Sequence, residues 1–179
     1  ALAFSPDGKE LAASGLREIT VWNPATGELR RRIPDMAQRT YTLAWSSNGD
    51  ILTAGGGIPG ELGEARMFDA KTGDLKAVMH QASDVVLDVQ YDVNGTLLAV
   101  ADADNLITVY HTDDLSTRLR IDNHSDWVMA VTFSPDIRFL ASASRDRSAK
   151  IFEMKTGDTI STYGGHGVPV LGVAFREDG

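Results

Sequence analysis

Apolar and polar positions alternate in short runs along the whole chain, and the runs are too brief for helices. Ile19-Thr20-Val21-Trp22, Leu43-Ala44-Trp45 and Ile107-Thr108-Val109-Tyr110 are bounded by Gly, Pro, Asn, Asp or Ser, the punctuation of half-buried strands joined by tight turns. The runs also recur. Phe4, Trp45, Tyr91, Phe133 and Phe175 follow one another at intervals of 41, 46, 42 and 42 residues. A second series, Trp22, Phe68, Tyr110 and Phe152, keeps step with the first, each member preceding the next member of the first by 23 residues. One unit is therefore written four times.

Each unit predicts four strands. The first ends in the first aromatic and meets a turn such as Ser5-Pro6-Asp7-Gly8 or Asp92-Val93-Asn94-Gly95, whose Asp-Gly or Asn-Gly pair tolerates positive φ. The second follows at once, as Glu10–Ala13, Ile51–Ala54, Leu97–Val100 and Phe139–Ser142. The third carries the second aromatic, and Thr26-Gly27, Thr72-Gly73 or Thr156-Gly157 turns it into a polar outer strand, Leu29–Ile33 in the first unit. A period just above forty residues made of short strands predicts an all-β fold, a β-propeller of four-stranded antiparallel blades, because one blade cannot bury both faces alone. The expected boundaries are about 1–35, 36–80, 81–123 and 124–166, with the first strand of a fifth blade at about 167–179. Residues 1–8 and 172–179 align position for position, so the chain reads as four blades and a strand from a larger ring, or as half of an eight-bladed dimer.

The chain resembles the WD-repeat (WD40) family of propellers over its whole length. The phrases that carry the likeness are Ala3-Phe4-Ser5-Pro6-Asp7-Gly8 with Val21-Trp22-Asn23, and His124 through Phe133-Ser134-Pro135-Asp136 to Ser142-Ala143-Ser144-Arg145-Asp146. The Trp-Asp pair of that family is worn to Trp22-Asn23, Phe68-Asp69, Tyr110-His111 and Phe152-Glu153, and its Gly-His pair survives as Gly165-His166. The resemblance implies a hydrogen-bonded structural network inside a blade: His124, Ser142 and Asp146, with Phe152 where the family has a Trp. It also implies remnants at Asp104 and His166. A Ser, a His and an Asp in one unit also invite a nucleophilic triad, but no nucleophile elbow or oxyanion-loop signature accompanies them. Structural duty is the expectation, and no catalytic residue is assigned.

Charge and composition narrow the partners. Lys and Arg number 17 against 25 Asp and Glu, a net charge of −8, which disfavours nucleic acid held through its phosphates. The one basic run, Arg30-Arg31-Arg32, falls on an outer strand, where charge discourages edge pairing. With no Cys there is neither disulfide nor thiolate metal site, and no apolar run approaches the ~18 residues of a membrane span. No metal and no cofactor is expected.

Departures from the repeat are where a specific role could be written. The paired aromatics are 18, 23, 19 and 19 residues apart, so the second unit has about four extra residues within Gly55-Gly56-Gly57-Ile58-Pro59-Gly60-Glu61-Leu62-Gly63-Glu64. This reads as a tolerated surface insertion or as a flexible loop with Gly57, Ile58, Pro59, Glu61 and Glu64 as candidate partner contacts. It lacks the Lys and helix of a phosphate cradle, and two carboxylates fall short of a calcium site. On the same end the expected contacts are Arg39, Trp127, Arg145 and Arg147, residue types enriched at binding hot spots. Trp127 could equally pack as core.

The resulting expectation is a non-catalytic scaffold for protein or peptide partners, basic ones being favoured by the acidic balance, in the cytoplasm. Open blade flanks would permit self-association. The rival is an accessory or sensor domain of a larger bacterial enzyme carrying c-type haem, kinase or peptidase domains, suggested by Ala54-Gly55-Gly56-Gly57 and Phe68-Asp69-Ala70-Lys71-Thr72-Gly73. That rival would move it to the periplasm if a haem domain were attached. A propeller enzyme with a site at the channel mouth is a more remote alternative.

Overall fold

The computed structural model describes residues 1–36 and 38–176. Four sheets of four antiparallel strands follow in chain order, with no helix among the described residues. The first sheet holds β1 (Leu2–Phe4), β2 (Leu11–Ser14), β3 (Ile19–Trp22) and β4 (Leu29–Ile33); the second holds β5 (Arg39–Trp45), β6 (Ile51–Ile58), β7 (Leu62–Asp69) and β8 (Leu75–Ala82). The third holds β9 (Val86–Tyr91), β10 (Leu97–Asp102), β11 (Ile107–His111) and β12 (Thr117–Ile121), and the fourth β13 (Val128–Phe133), β14 (Phe139–Ser144), β15 (Ala149–Glu153) and β16 (Thr159–Tyr163). Two compact units result, Ala1–Val86 and Leu87 onward.

The first turn of every sheet is built alike. Gly8 N–H donates to Ser5 O at 2.9 Å while Ser5 Oγ accepts Glu10 N–H at 2.9 Å, and Ser46 and Ser134 repeat both bonds with their own turns. Asp92 does the same work with its carboxylate, accepting Leu97 N–H at 2.7 Å. The turn needs a left-handed residue, supplied by Gly8, Gly49 and Gly95 but by Ile137 (φ 60°) in the fourth sheet. A β-branched residue is strained there, and Ile137 offsets this by packing against the core. The pairing of the third and fourth strands shifts register beside the second aromatic in all four sheets, at Val21/Trp22, Met67/Phe68, Val109/Tyr110 and Ile151/Phe152. A bulge at this fixed phase increases local twist.

Each unit has one core, shared between its two sheets. In the first, Ile19, Val21 and Ile33 meet Leu43, Trp45, Leu52 and Phe68. In the second, Ile107, Val109 and Ile121 meet Val131, Phe133, Leu140 and Phe152. Trp45 shows how sheets are joined: its ring is buried and its Nε1–H donates to Ala3 O at 3.1 Å. Phe4, at the same phase, has no sheet of its unit outside it and is 61% exposed.

Two expectations are corrected. The second strand of the second sheet does not stop at Ala54, because β6 and β7 run on through the glycines as one long hairpin paired from Ile51↔Asp69 to Ile58↔Leu62. The strand expected at about 167–179 is absent over the part described: residues 164–176 are irregular, and residues 177–179 lie outside the described residues. A strand needs a ladder partner; this segment is assigned no strand pairing, and Val170 N–H donates singly to Ser144 O.

Candidate functional site

In the first unit the Gly-rich segment is a rigid hairpin and not a loose finger. A Cβ on Gly56 would sit 2.0 Å from Arg39 O, one on Gly57 1.9 Å from Leu62 O, and one on Gly63 1.9 Å from Asp84 O. These glycines exist so that neighbouring backbones can approach. Only the tip is open: Pro59, Gly60 and Glu61 are exposed, Ile58 is half-buried, and Glu61 N–H closes the turn on Ile58 O at 3.0 Å. Gly57 is buried, and Glu64 is 5% exposed, so neither can meet a partner as expected. The Glu64 carboxylate lies 2.7 Å from Arg66 Nη2, although Oε1 is poorly aligned to accept a hydrogen bond. Arg66 Nη1 also donates to Asp35 O at 2.6 Å. Glu61 and Glu64 thus do not converge, and among the described residues no three His, Asp or Glu are grouped to hold a metal ion. Arg39 is exposed at the start of β5, paired with Gly57.

In the second unit the fourth sheet brings His124, Ser142 and Asp146 together. His124 leads into β13, Ser142 lies in β14 opposite Val131, and Asp146 stands in the turn to β15. Asp146 Oδ2 accepts from His124 Nδ1 at 2.7 Å, which leaves Nε2 to accept the Ser142 hydroxyl at 2.6 Å. Burial lowers the His124 pKa despite Asp146 beside it, so the ring stays neutral. Burial also pushes Asp146 upward, but hydrogen bonds from Ser148, His124 and Ser125 N–H outweigh it and hold the carboxyl far below its ordinary value. The order of bonds is that of a nucleophilic triad, yet Ser142 is 0% exposed and its lone pairs face no solvent. Phe152 closes the pocket, its ring edge-on to His124 at 6.3 Å between centroids.

The two remnants behave differently. Asp104 lies in the turn after β10, its N–H given to Asp102 Oδ1 at 2.9 Å, with Ala82 at the phase of His124. His166 is exposed in the irregular segment, and among the described residues it has no network partner.

Beside the triad a second cluster faces outward. Trp127 is half-buried, and the Arg145 guanidinium lies over its ring, 4.5 Å from the centroid. The stack is fixed from below: Arg145 N–H donates to Trp127 O at 2.9 Å and Ser144 Oγ to Asp126 O at 2.9 Å. Arg147, left-handed at φ 69°, is exposed two residues on. Sequence reasoning placed these residues on one end but missed the stack, for which residue spacing gives no signal.

Repeating antiparallel sheets with a phase-locked aromatic pair and an internal His–Ser–Asp network define a protein of β-propeller blades. The family model described as "WD domain, G-beta repeat" matches residues 116–153, which are β12 of one sheet and β13 to β15 of the next. Among curated relatives, the chain is 29% identical to WD repeat-containing protein SL1-17 of Schistosoma mansoni over 84% of its own length and 48% of that protein. It is 25% identical to an uncharacterized WD repeat-containing protein of Schizosaccharomyces pombe, covering 96% of the chain and 45% of the relative. It is 24% identical to actin-interacting protein 1 of Drosophila melanogaster, over 98% of the chain and 29% of the relative. The chain is thus similar to WD-repeat proteins over most of its length, and residues 116–153 match the repeat itself. It spans about half the length of the first two of these relatives, and all three come from eukaryotes, so the suggested likeness to bacterial multidomain proteins finds no support in them.

Proposed function

We propose that the chain is a non-catalytic protein-interaction scaffold that presents the loop ends of its blades to protein partners. The observation that carries this reading is Trp127, a large aromatic outside the repeated core series, held half-open under a stacked Arg on a turn tied down by backbone bonds. A rigid, amphipathic anchor of that kind costs little entropy on binding. Further support comes from the family, in which one relative is named for its interaction with actin. The burial of Ser142 disfavours catalysis at the triad. In the first unit the hairpin tip Ile58–Leu62 offers a second contact surface on a rigid stem.

The accessory-domain reading has no observation in its favour. The scaffold reading is tested by selecting random displayed peptides on the chain and on its Trp127→Ala variant, with thermal unfolding of both. Peptides that lose binding to a variant melting within about 2 °C of the parent would support it. Selection of none, or of peptides indifferent to Trp127, would sink it.

A further inference from the structure

We infer that the Trp127–Arg145 stack is a receptor for carboxylate side chains, so that this face of the second unit takes an acidic, extended peptide. The inference rests on the scaffold reading and gives its partner a chemistry. The arginines of the first unit's outer strand have their forks engaged: Arg30 and Arg31 with Glu10 at 2.9 and 2.5 Å, and Arg32 with Glu18 at 2.7 Å. Arg66 is held by Glu64 and Asp35 O. Arg145 differs. Only its Nε approaches an acid, Asp126 Oδ2 at 3.4 Å, and one face of the guanidinium is covered by the indole. Among the described residues its two terminal nitrogens make no hydrogen bond, and they lie in a guanidinium plane that the indole already orients.

A guanidinium oriented before binding offers a planar pair of donors that matches a carboxylate and loses little side-chain entropy in doing so. Arg147, exposed nearby, adds a second positive charge, and among the described residues no acid is paired with it. Of the two neighbouring acids, Asp126 sits at the Nε edge of Arg145 and accepts Trp127 N–H, and Asp146 is committed to His124 and Ser148. Exposed Val168 and Leu171 flank Val170, whose N–H bonds to Ser144 O, so apolar surface adjoins the stack. The chain as a whole carries −8. Long-range steering therefore works against an acidic partner, and recognition has to come from the fork at short range. This reverses the sequence-based preference for basic partners at this one place.

The test uses fluorescein-labelled ten-residue peptides of alternating Gly with Glu, Gln, Lys or phosphoserine, titrated with the whole chain and read by fluorescence anisotropy. The Glu peptide should bind more tightly than the Gln and Lys peptides. Arg145→Ala should weaken it by about tenfold or more, and Arg145→Lys nearly as much, since an ammonium has no fork. Arg32→Ala, which removes the same charge elsewhere, should leave it unchanged. Equal or better binding of the Lys peptide, a phosphoserine peptide bound while the Glu peptide is not, or equal effects of the two alanine variants would overturn the inference. If the Lys peptide binds and Trp127→Ala abolishes that binding, the surface stands as an interaction site and only its acidic specificity falls.

Discussion

Nine residues before the inner aromatic the second sheet has Met36 and the fourth has His124; nine residues after it they have Ala54 and Ser142. The backbones match, Ala54 lying opposite Leu43 as Ser142 lies opposite Val131. All four side chains are buried. Met36 and Ala54 belong to the apolar core of the first unit, whereas His124 and Ser142 are hydrogen-bonded to each other and through the imidazole to Asp146. One place in the repeat is thus filled either by groups that need no partner or by groups that need every partner. The polar solution orients the turn that carries Arg145, because Asp146 is bonded to His124, Ser125 N–H and Ser148 at once.

The largest effect is expected where the second sheet replaces side chains by backbone proximity. Gly56→Ala would put a methyl group 2.0 Å from Arg39 O, and Gly57→Ala would add a φ of 153° to a 1.9 Å clash with Leu62 O. Neither neighbour is a side chain that can swing away. Each variant should lose at least about 4 kcal/mol or fail to fold, as urea unfolding followed by circular dichroism would show. A loss below about 1 kcal/mol would mean that the hairpin is as loose as its glycine content first suggests.

The polar solution comes next. Asp146→Ala leaves the buried His124 Nδ1–H and the Ser148 hydroxyl without their acceptor and should cost about 3 kcal/mol. Ser142→Ala alone should cost about 1 kcal/mol, and almost nothing in a His124→Met background, where the fourth sheet imitates the second. A double-mutant cycle measures that coupling; additive losses would show that His124 and Ser142 act independently.

The pH dependence follows from the burial of the same imidazole, which outweighs its bond to Asp146. The His124 pKa is lowered from 6.5 in the folded chain, so the unfolded chain binds the extra proton first. This contribution is complete above pH 6.5 and declines as pH falls from there toward the lowered folded-state value. Asp146, also lowered, keeps its contribution above its ordinary 3.8 and loses it only below. Melting temperature measured between pH 7.5 and 5 should therefore fall in the parent more steeply than in His124→Met. Parallel profiles would place the titrating group elsewhere.

The strand order was legible in the sequence because each turn repeats its chemistry: Ser5, Ser46 and Ser134 do one job with one atom, and the aromatics mark phase. The His–Ser–Asp set was legible through family resemblance. Gly55–Glu64 was misread because glycine has two uses, freedom and close approach, and only three-dimensional neighbours distinguish them. Glu64 was misread with it, since an acid in a supposed loop looks exposed until strand pairing brings Arg66 alongside. The Trp127 stack was invisible because Arg145 comes from a different hairpin turn, 18 residues on.

The smallest effect should come from the tip of the same hairpin. Glu61 is exposed, its backbone closes the turn on Ile58 O, and among the described residues its carboxylate has no hydrogen bond or ion pair. Glu61→Ala keeps the backbone bond and removes only a solvated charge, so melting should shift by no more than about 2 °C. Set against Gly57→Ala four residues away, this separates stem from tip: a stem that cannot change and a tip that can. A Glu61→Ala variant as unstable as the glycine variants would show that the tip packs against something, and the second contact surface would then be part of the fold and closed to partners.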